Sequence, residues 1–169
     1  MRLLIIFIFF ISNSFADETL NIKNLAINKE LKKYKDITFF DVNNKVVNLN
    51  DYKGNLVLLN FWATWCAPCK EEMPSLDLLQ VNEDLENLKI FPINVGQDNL
   101  EKSLSFFKNL KIKNLKIYFD ETMSNAKKFS LRGLPTTILL NKDGLEFARI
   151  IGSIDFKDKE FIQWLSKYN

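Results

Sequence analysis

The sequence predicts an α/β fold, a central mixed sheet flanked by helices in one domain. Three observations carry that expectation. Leu56-Val57-Leu58-Leu59-Asn60-Phe61 is nearly continuous in apolar residues, as strands buried on both faces are. Two further runs, Leu88–Val95 and Lys116–Phe119, alternate with segments of helical period, the pattern of parallel strands joined by crossover helices. Near the end, Thr136–Leu140 and Glu146–Ile150 flank Asn141-Lys142-Asp143-Gly144, a strong turn signal that adds an antiparallel hairpin.

In chain order, Met1-Arg2 is followed by nine apolar residues, Leu3 to Ile11, and then by Ser12-Asn13-Ser14-Phe15-Ala16. A basic start, a short apolar stretch and small residues at Ser14 and Ala16 read as a secretory signal over 1–16, cleaved after Ala16. The apolar run is shorter than the roughly 20 residues that cross a bilayer, and an uncleaved anchor is the alternative reading. Either way the chain is placed outside the reducing cytosol, in a periplasm. Residues 17–35, with Leu25, Leu31 and Tyr34 among lysines, form an N-terminal leader, either a short surface helix or a mobile segment. The main domain is expected over 36–169. Ile37 to Leu49 reads as two short strands about Asn43-Asn44, and Asn50 to Gly54 as one helical turn closed by glycine.

After the strand at 56–61, Leu76, Leu79 and Leu85 give an interrupted helical stripe to about Asn87, with Pro74 distorting an early turn. Pro92 in the middle of Leu88–Val95 argues for a bulge or an irregular entry there. Leu100, Leu104 and Phe107 line one face of an inserted helix, and Asp120 to Phe129 reads as a further short helix. Phe161, Trp164, Leu165 and Tyr168 form the core stripe of a last helix.

The chemistry concentrates in Asn60-Phe61-Trp62-Ala63-Thr64-Trp65-Cys66-Ala67-Pro68-Cys69-Lys70-Glu71-Glu72-Met73-Pro74. Both cysteines fall where a buried strand hands over to a helix N-terminus. There, unpaired amides and the positive end of the helix dipole stabilise a thiolate and can lower a cysteine pKa from about 8.5 to below 7.5. Two intervening residues let Cys66 be the exposed attacking thiol and Cys69, one turn on, the shielded resolving thiol. An inert staple is the bland alternative, but so small a loop removes little unfolded-state entropy. A structural zinc site needs four ligands, and this chain has two Cys and no His. Covalent haem attachment wants His after Cys69, where Lys70 stands.

The run Phe-Trp-Ala-Thr-Trp-Cys-Ala-Pro-Cys with Lys-Glu-Glu-Met-Pro, together with Gly133-Leu134-Pro135-Thr136-Thr137, resembles the exported, often membrane-tethered thioredoxin-like proteins of bacteria, the TlpA and ResA group, and is also similar to the cytochrome c biogenesis reductases. The resemblance implies a thioredoxin-like fold, an N-terminal hairpin and an inserted helix. It makes Pro135 a cis proline standing against the cysteines, where proline offers no N–H to a thiolate, and leaves the Leu134 backbone free to pair with an incoming peptide. It gives Glu72 the place of an acidic residue that handles protons; the ordinary reading is that Glu72, like Glu71, complements the helix dipole. Asn60 stands where cytosolic thioredoxins have a buried aspartate, and reads as a buried hydrogen-bonding residue. Trp65 is expected as an exposed docking surface, with Trp62 packed beneath. With Ala67, Pro68, Leu134 and Thr136, Trp65 makes the substrate face. Some ResA-like members carry an acidic residue where this chain has Ala67, so partner choice is less determined than fold.

These residues point to a thiol:disulfide oxidoreductase that needs no cofactor and no metal. The resemblance favours a reductant of exported proteins such as apocytochrome c, recycled by a membrane electron donor. A dithiol oxidase or isomerase is the nearest alternative, and a thiolate copper-binding or holding protein the non-enzymatic one. With residues 1–16 removed, 22 basic and 21 acidic side chains remain, which gives no footprint for nucleic acid. No separate dimerisation domain is evident, and a monomer is expected.

Overall fold

The computed structural model describes residues 22–96 and 98–169. The expected signal segment, 1–16, lies outside the described residues, as does the leader up to residue 21. The elements run β1 (Leu25–Lys32), β2 (Thr38–Asp41), β3 (Val46–Asn48), β4 (Leu56–Trp62), α1 (Ala67–Leu79), β5 (Leu88–Val95), α2 (Leu100–Asn109), β6 (Tyr118–Asp120), α3 (Ser124–Lys128), β7 (Thr136–Leu140), β8 (Glu146–Ile151) and α4 (Lys159–Ser166). Single 3-10 turns cover Leu49–Tyr52 and Glu83–Leu85.

The strands form one sheet in the order β1-β8-β7-β4-β5-β6-β2-β3. β4, β5 and β6 are parallel, as their crossover helices require, and the β7–β8 hairpin joins β4 antiparallel. The β2–β3 hairpin closes the far edge by pairing with β6. β4 is buried along its whole length. Because side chains alternate, Leu56, Leu58 and Trp62 face the helical layer of α1, α2 and α4, while Val57, Leu59 and Phe61 face the layer of Phe39, Ala126 and Phe129. By the same alternation Asn60 points toward α1.

Four local readings are corrected. Residues 25–32 form an edge strand on β8, with an irregular register between Ile27 and Lys32, in place of the surface helix or mobile leader that the sequence predicts. A one-sided edge strand buries too little to print an alternating pattern, and its lysines and broken register blunt the open edge. Pro92 introduces no bulge: the β4 register runs unbroken through Asn60↔Pro92, and β6 pairing begins only at Ile93. On α2 the inward line is Ser103 and Phe107, whereas Leu104 is 50% exposed. Phe106 and Phe107 pack against Trp62, with ring centroids 4.8 and 5.4 Å away, and that contact sets the helix's rotation. Finally, α1 ends at Leu79, so Leu85 reaches the core from a separate turn.

Among the described residues no helix is long and apolar enough to cross a membrane.

Candidate active site

β4 delivers the chain to the carboxyl edge of the sheet, where Ala63, Thr64 and Trp65 make a turn closed by the Cys66 N–H donating to the Ala63 carbonyl at 3.2 Å. Cys66 is the N-cap of α1, and its Sγ accepts the Cys69 N–H at 3.2 Å. Cys66 and Cys69 are joined as a disulfide. Proline in the first helical turn costs no hydrogen bond, since amides there lack intrahelical partners. The expected contrast in exposure is small in this oxidised state: Cys66 is 4% exposed and Cys69 0%. The surface around them is Trp65, 74% exposed, with Ala67 and Pro68 also exposed.

The Phe61↔Thr136 register sets the loop before β7 beside the carboxyl end of β4. The Leu134-Pro135 peptide is cis, and the Pro135 carbonyl accepts the Gly152 N–H at 2.9 Å. Gly152 holds that approach with φ 99°, and a Cβ there would meet Asn24 Nδ2 at 3.1 Å. Leu134 is half-buried, and its backbone makes no hydrogen bond among the described residues. Thr136 lies beneath this face, 2% exposed, its hydroxyl donating to the Gly133 carbonyl at 2.8 Å.

One turn after Cys69, Glu72 is 2% exposed and points into the space between α1 and β4. The Asn60 amide donates to Glu72 Oε1 at 2.8 Å and to Thr137 Oγ1 at 2.9 Å. Glu72 Oε2 and Asn60 Oδ1 are buried without hydrogen-bond partners. No cation offsets the burial, which pushes the Glu72 carboxyl up to about 8, against the smaller opposing pull of the Asn60 amide and the Ile154 backbone. Glu72 also lines an open groove of about 630 Å³ with Ser75, Ile154 and Phe161. Asn60 is therefore the buried hydrogen-bonding residue expected, and its partner is Glu72. Glu71, the other acidic residue of this turn, is exposed.

The sequence did not reveal Asp98. From the loop after β5 its Oδ2 accepts the Thr64 N–H and its Oδ1 the Thr64 hydroxyl, each at 2.7 Å, and Asn94 Nδ2 donates to Oδ2 at 3.2 Å. Partial burial would raise this carboxyl; the Thr64 and Asn94 bonds and the Lys102 charge overcome it and hold the pKa below the usual value. The signal available in sequence was its position, at the carboxyl end of a parallel strand beside the one bearing the cysteines.

Residues 24–145 match the AhpC/TSA family. The chain is 32% identical over 114 residues to the thiol-disulfide oxidoreductase ResA of Bacillus subtilis (strain 168), spanning 68% of this chain and 63% of that relative. To the ResA of Geobacillus kaustophilus it is 32% identical over 125 residues, 74% of this chain and 71% of the relative. Among solved structures, a secreted thiol-disulfide isomerase from Corynebacterium glutamicum superposes with a TM-score of 0.72 at 22% identity, over 87% of this chain and 94% of that one. At that identity the likeness speaks for the thioredoxin-like fold alone. On the family match and the ResA relatives together, this chain belongs to the AhpC/TSA family, among its thioredoxin-like thiol-disulfide oxidoreductases.

Proposed function

We propose that this protein reduces disulfides of exported proteins through Cys66 and Cys69. The observation that carries the reading is the seat of the pair: Cys66 caps α1, and its sulfur faces the Cys69 amide, so a thiolate there has a donor and the positive helix end. The Cys66 thiolate attacks one sulfur of a substrate disulfide; the Cys66–substrate bond forms and the other substrate sulfur leaves as a thiolate. Cys69, once deprotonated, attacks the Cys66 sulfur, closes the intramolecular disulfide and releases the second substrate thiolate. The substrate gains two electrons and the pair loses two.

Glu72 is the proton carrier of this cycle. As a carboxylate it takes the Cys69 proton in the resolving step. With its pKa near 8 it is largely neutral at pH 7, and it returns a proton to Cys69 when a membrane electron donor re-reduces the pair. Trp65, Ala67 and Pro68 give the partner polypeptide an exposed apolar seat, and the unbonded Leu134 backbone supports pairing with an extended substrate segment. The signal-like 1–16 segment and the resemblance of the cysteine motif to the TlpA and ResA group support exported substrates, apocytochrome c among them, and a place in the periplasm, soluble or tethered; the enzyme acts as a monomer.

Limiting iodoacetamide on the reduced protein, followed by peptide mapping in metal-free buffer, tests the roles. Label should fall mainly on Cys66. Preferential label on Cys69 reverses the assignment.

A further inference from the structure

We propose that Asp98 is a positioning residue for thiol–disulfide exchange: by accepting both donors of Thr64 it fixes the Ala63–Cys66 turn, and with it the angle at which Trp65 meets a partner chain. The proposal rests on the reading of Trp65 as the docking face.

Trp65 is 74% exposed, so packing does not hold its position. The turn that carries it has two anchors. One is internal, the Cys66 N–H on the Ala63 carbonyl at 3.2 Å. The other comes from 34 residues away: Asp98 grips the Thr64 N–H and hydroxyl with separate oxygens, both at 2.7 Å. An ionised carboxylate with an oxygen for each donor makes shorter and stronger bonds than a neutral acceptor. Asp98 is itself braced by Asn94, a buried residue of β5 that also reaches Ser103 Oγ on α2 at 3.5 Å. The cysteine turn is thus tied to the rigid sheet through a side chain that need not touch a substrate. Asp98→Ala removes both acceptors at once, whereas Asp98→Asn is the milder change, because its oxygen still accepts the Thr64 N–H and the Thr64 hydroxyl can turn to accept from the new NH₂.

The test compares exchange with a protein disulfide, insulin, and a small one, hydroxyethyl disulfide, run in whichever direction the wild type turns over. Asp98→Ala should lose about tenfold in kcat/KM toward insulin, mostly in KM, and at least fivefold less toward the small disulfide. Thr64→Ser, which keeps both donors, should match wild type, and Thr64→Val should fall between. Combining Asp98→Ala with Trp65→Ala should lose little beyond Trp65→Ala alone, because both act through the same contact. Equal losses on both disulfides, additive losses in the double variant, or no loss would overturn the proposal. A protein that oxidises dithiols would instead refute the reductase reading and leave the Asp98 ratio measurable.

Discussion

Glu72 and Glu146 are equally hidden, at 2% and 0% exposure, yet the protein treats them in opposite ways. Glu146 lies at the start of β8, where Arg149 Nε reaches Oε1 at 2.7 Å, Arg149 Nη2 reaches Oε2 at 2.9 Å and the Tyr34 hydroxyl donates to Oε2 at 2.7 Å. Burial alone would raise its pKa; Arg149, Tyr34 and Asn28 more than offset it and hold it below the usual value. Glu72 has the Asn60 amide, a further pull from the Ile154 backbone and, among the described residues, no cation, and is pushed up to about 8. Burial alone does not decide charge. The paired glutamate ties the N-terminal segment and the β8 edge together, while the under-partnered one is left able to exchange a proton near neutral pH, one turn from a cysteine.

Removing the cation is the severest test of that contrast. Arg149→Met should destabilise the protein by about 3 kcal/mol at pH 7, the low end for a broken buried pair because part of Arg149 reaches solvent. The sign follows from linkage: a depressed Glu146 pKa contributes stability above its unfolded value and loses it as pH falls through the folded one. The deficit measured by urea unfolding should therefore shrink as the pH falls below the unfolded carboxyl value of 4.5 and Glu146 takes up a proton. A deficit constant with pH would mean that Arg149 matters only as packing.

Glu72→Gln should act the other way. The folded carboxyl keeps its proton to about 8, whereas the unfolded one releases it near 4.5. The stability this confers is fully present below 4.5 and falls as pH rises through 8. Between pH 5 and pH 7 the wild type should lose about 2.5 kcal/mol relative to the variant. Turnover of the variant should be slower, with the pH-rate limb near 8 removed. Parallel stability curves would show that Glu72 titrates normally.

How much of this was written in the sequence follows from which contacts are local. The strand–turn–helix handover at 56–69, the β7–β8 hairpin and the α4 core stripe each depend on residues close in the chain, and each stands where its pattern placed it. Glu72 was visible because it follows Cys69 by one turn, and the inward direction of Asn60 follows from alternation along β4. Their hydrogen bond was not visible, since it depends on how α1 settles across the sheet. Asp98 and Thr64 are likewise joined only by tertiary packing, and among the described residues β1 pairs with β8 alone. Such contacts leave no periodic trace.

The reduction potential tests the functional claim most directly. Trp65 directly precedes Cys66 and the buried Trp62 shares the core cluster of both cysteines, so fluorescence during equilibration against glutathione or dithiothreitol can report the redox state of the pair. Beyond the helix terminus, Ala67-Pro68 adds no charge to stabilise a thiolate, and a less stabilised reduced form means a lower potential. The account predicts a value below roughly −200 mV; one close to about −120 mV, with rapid oxidation of reduced substrate proteins, would contradict it and mark the protein as an oxidant.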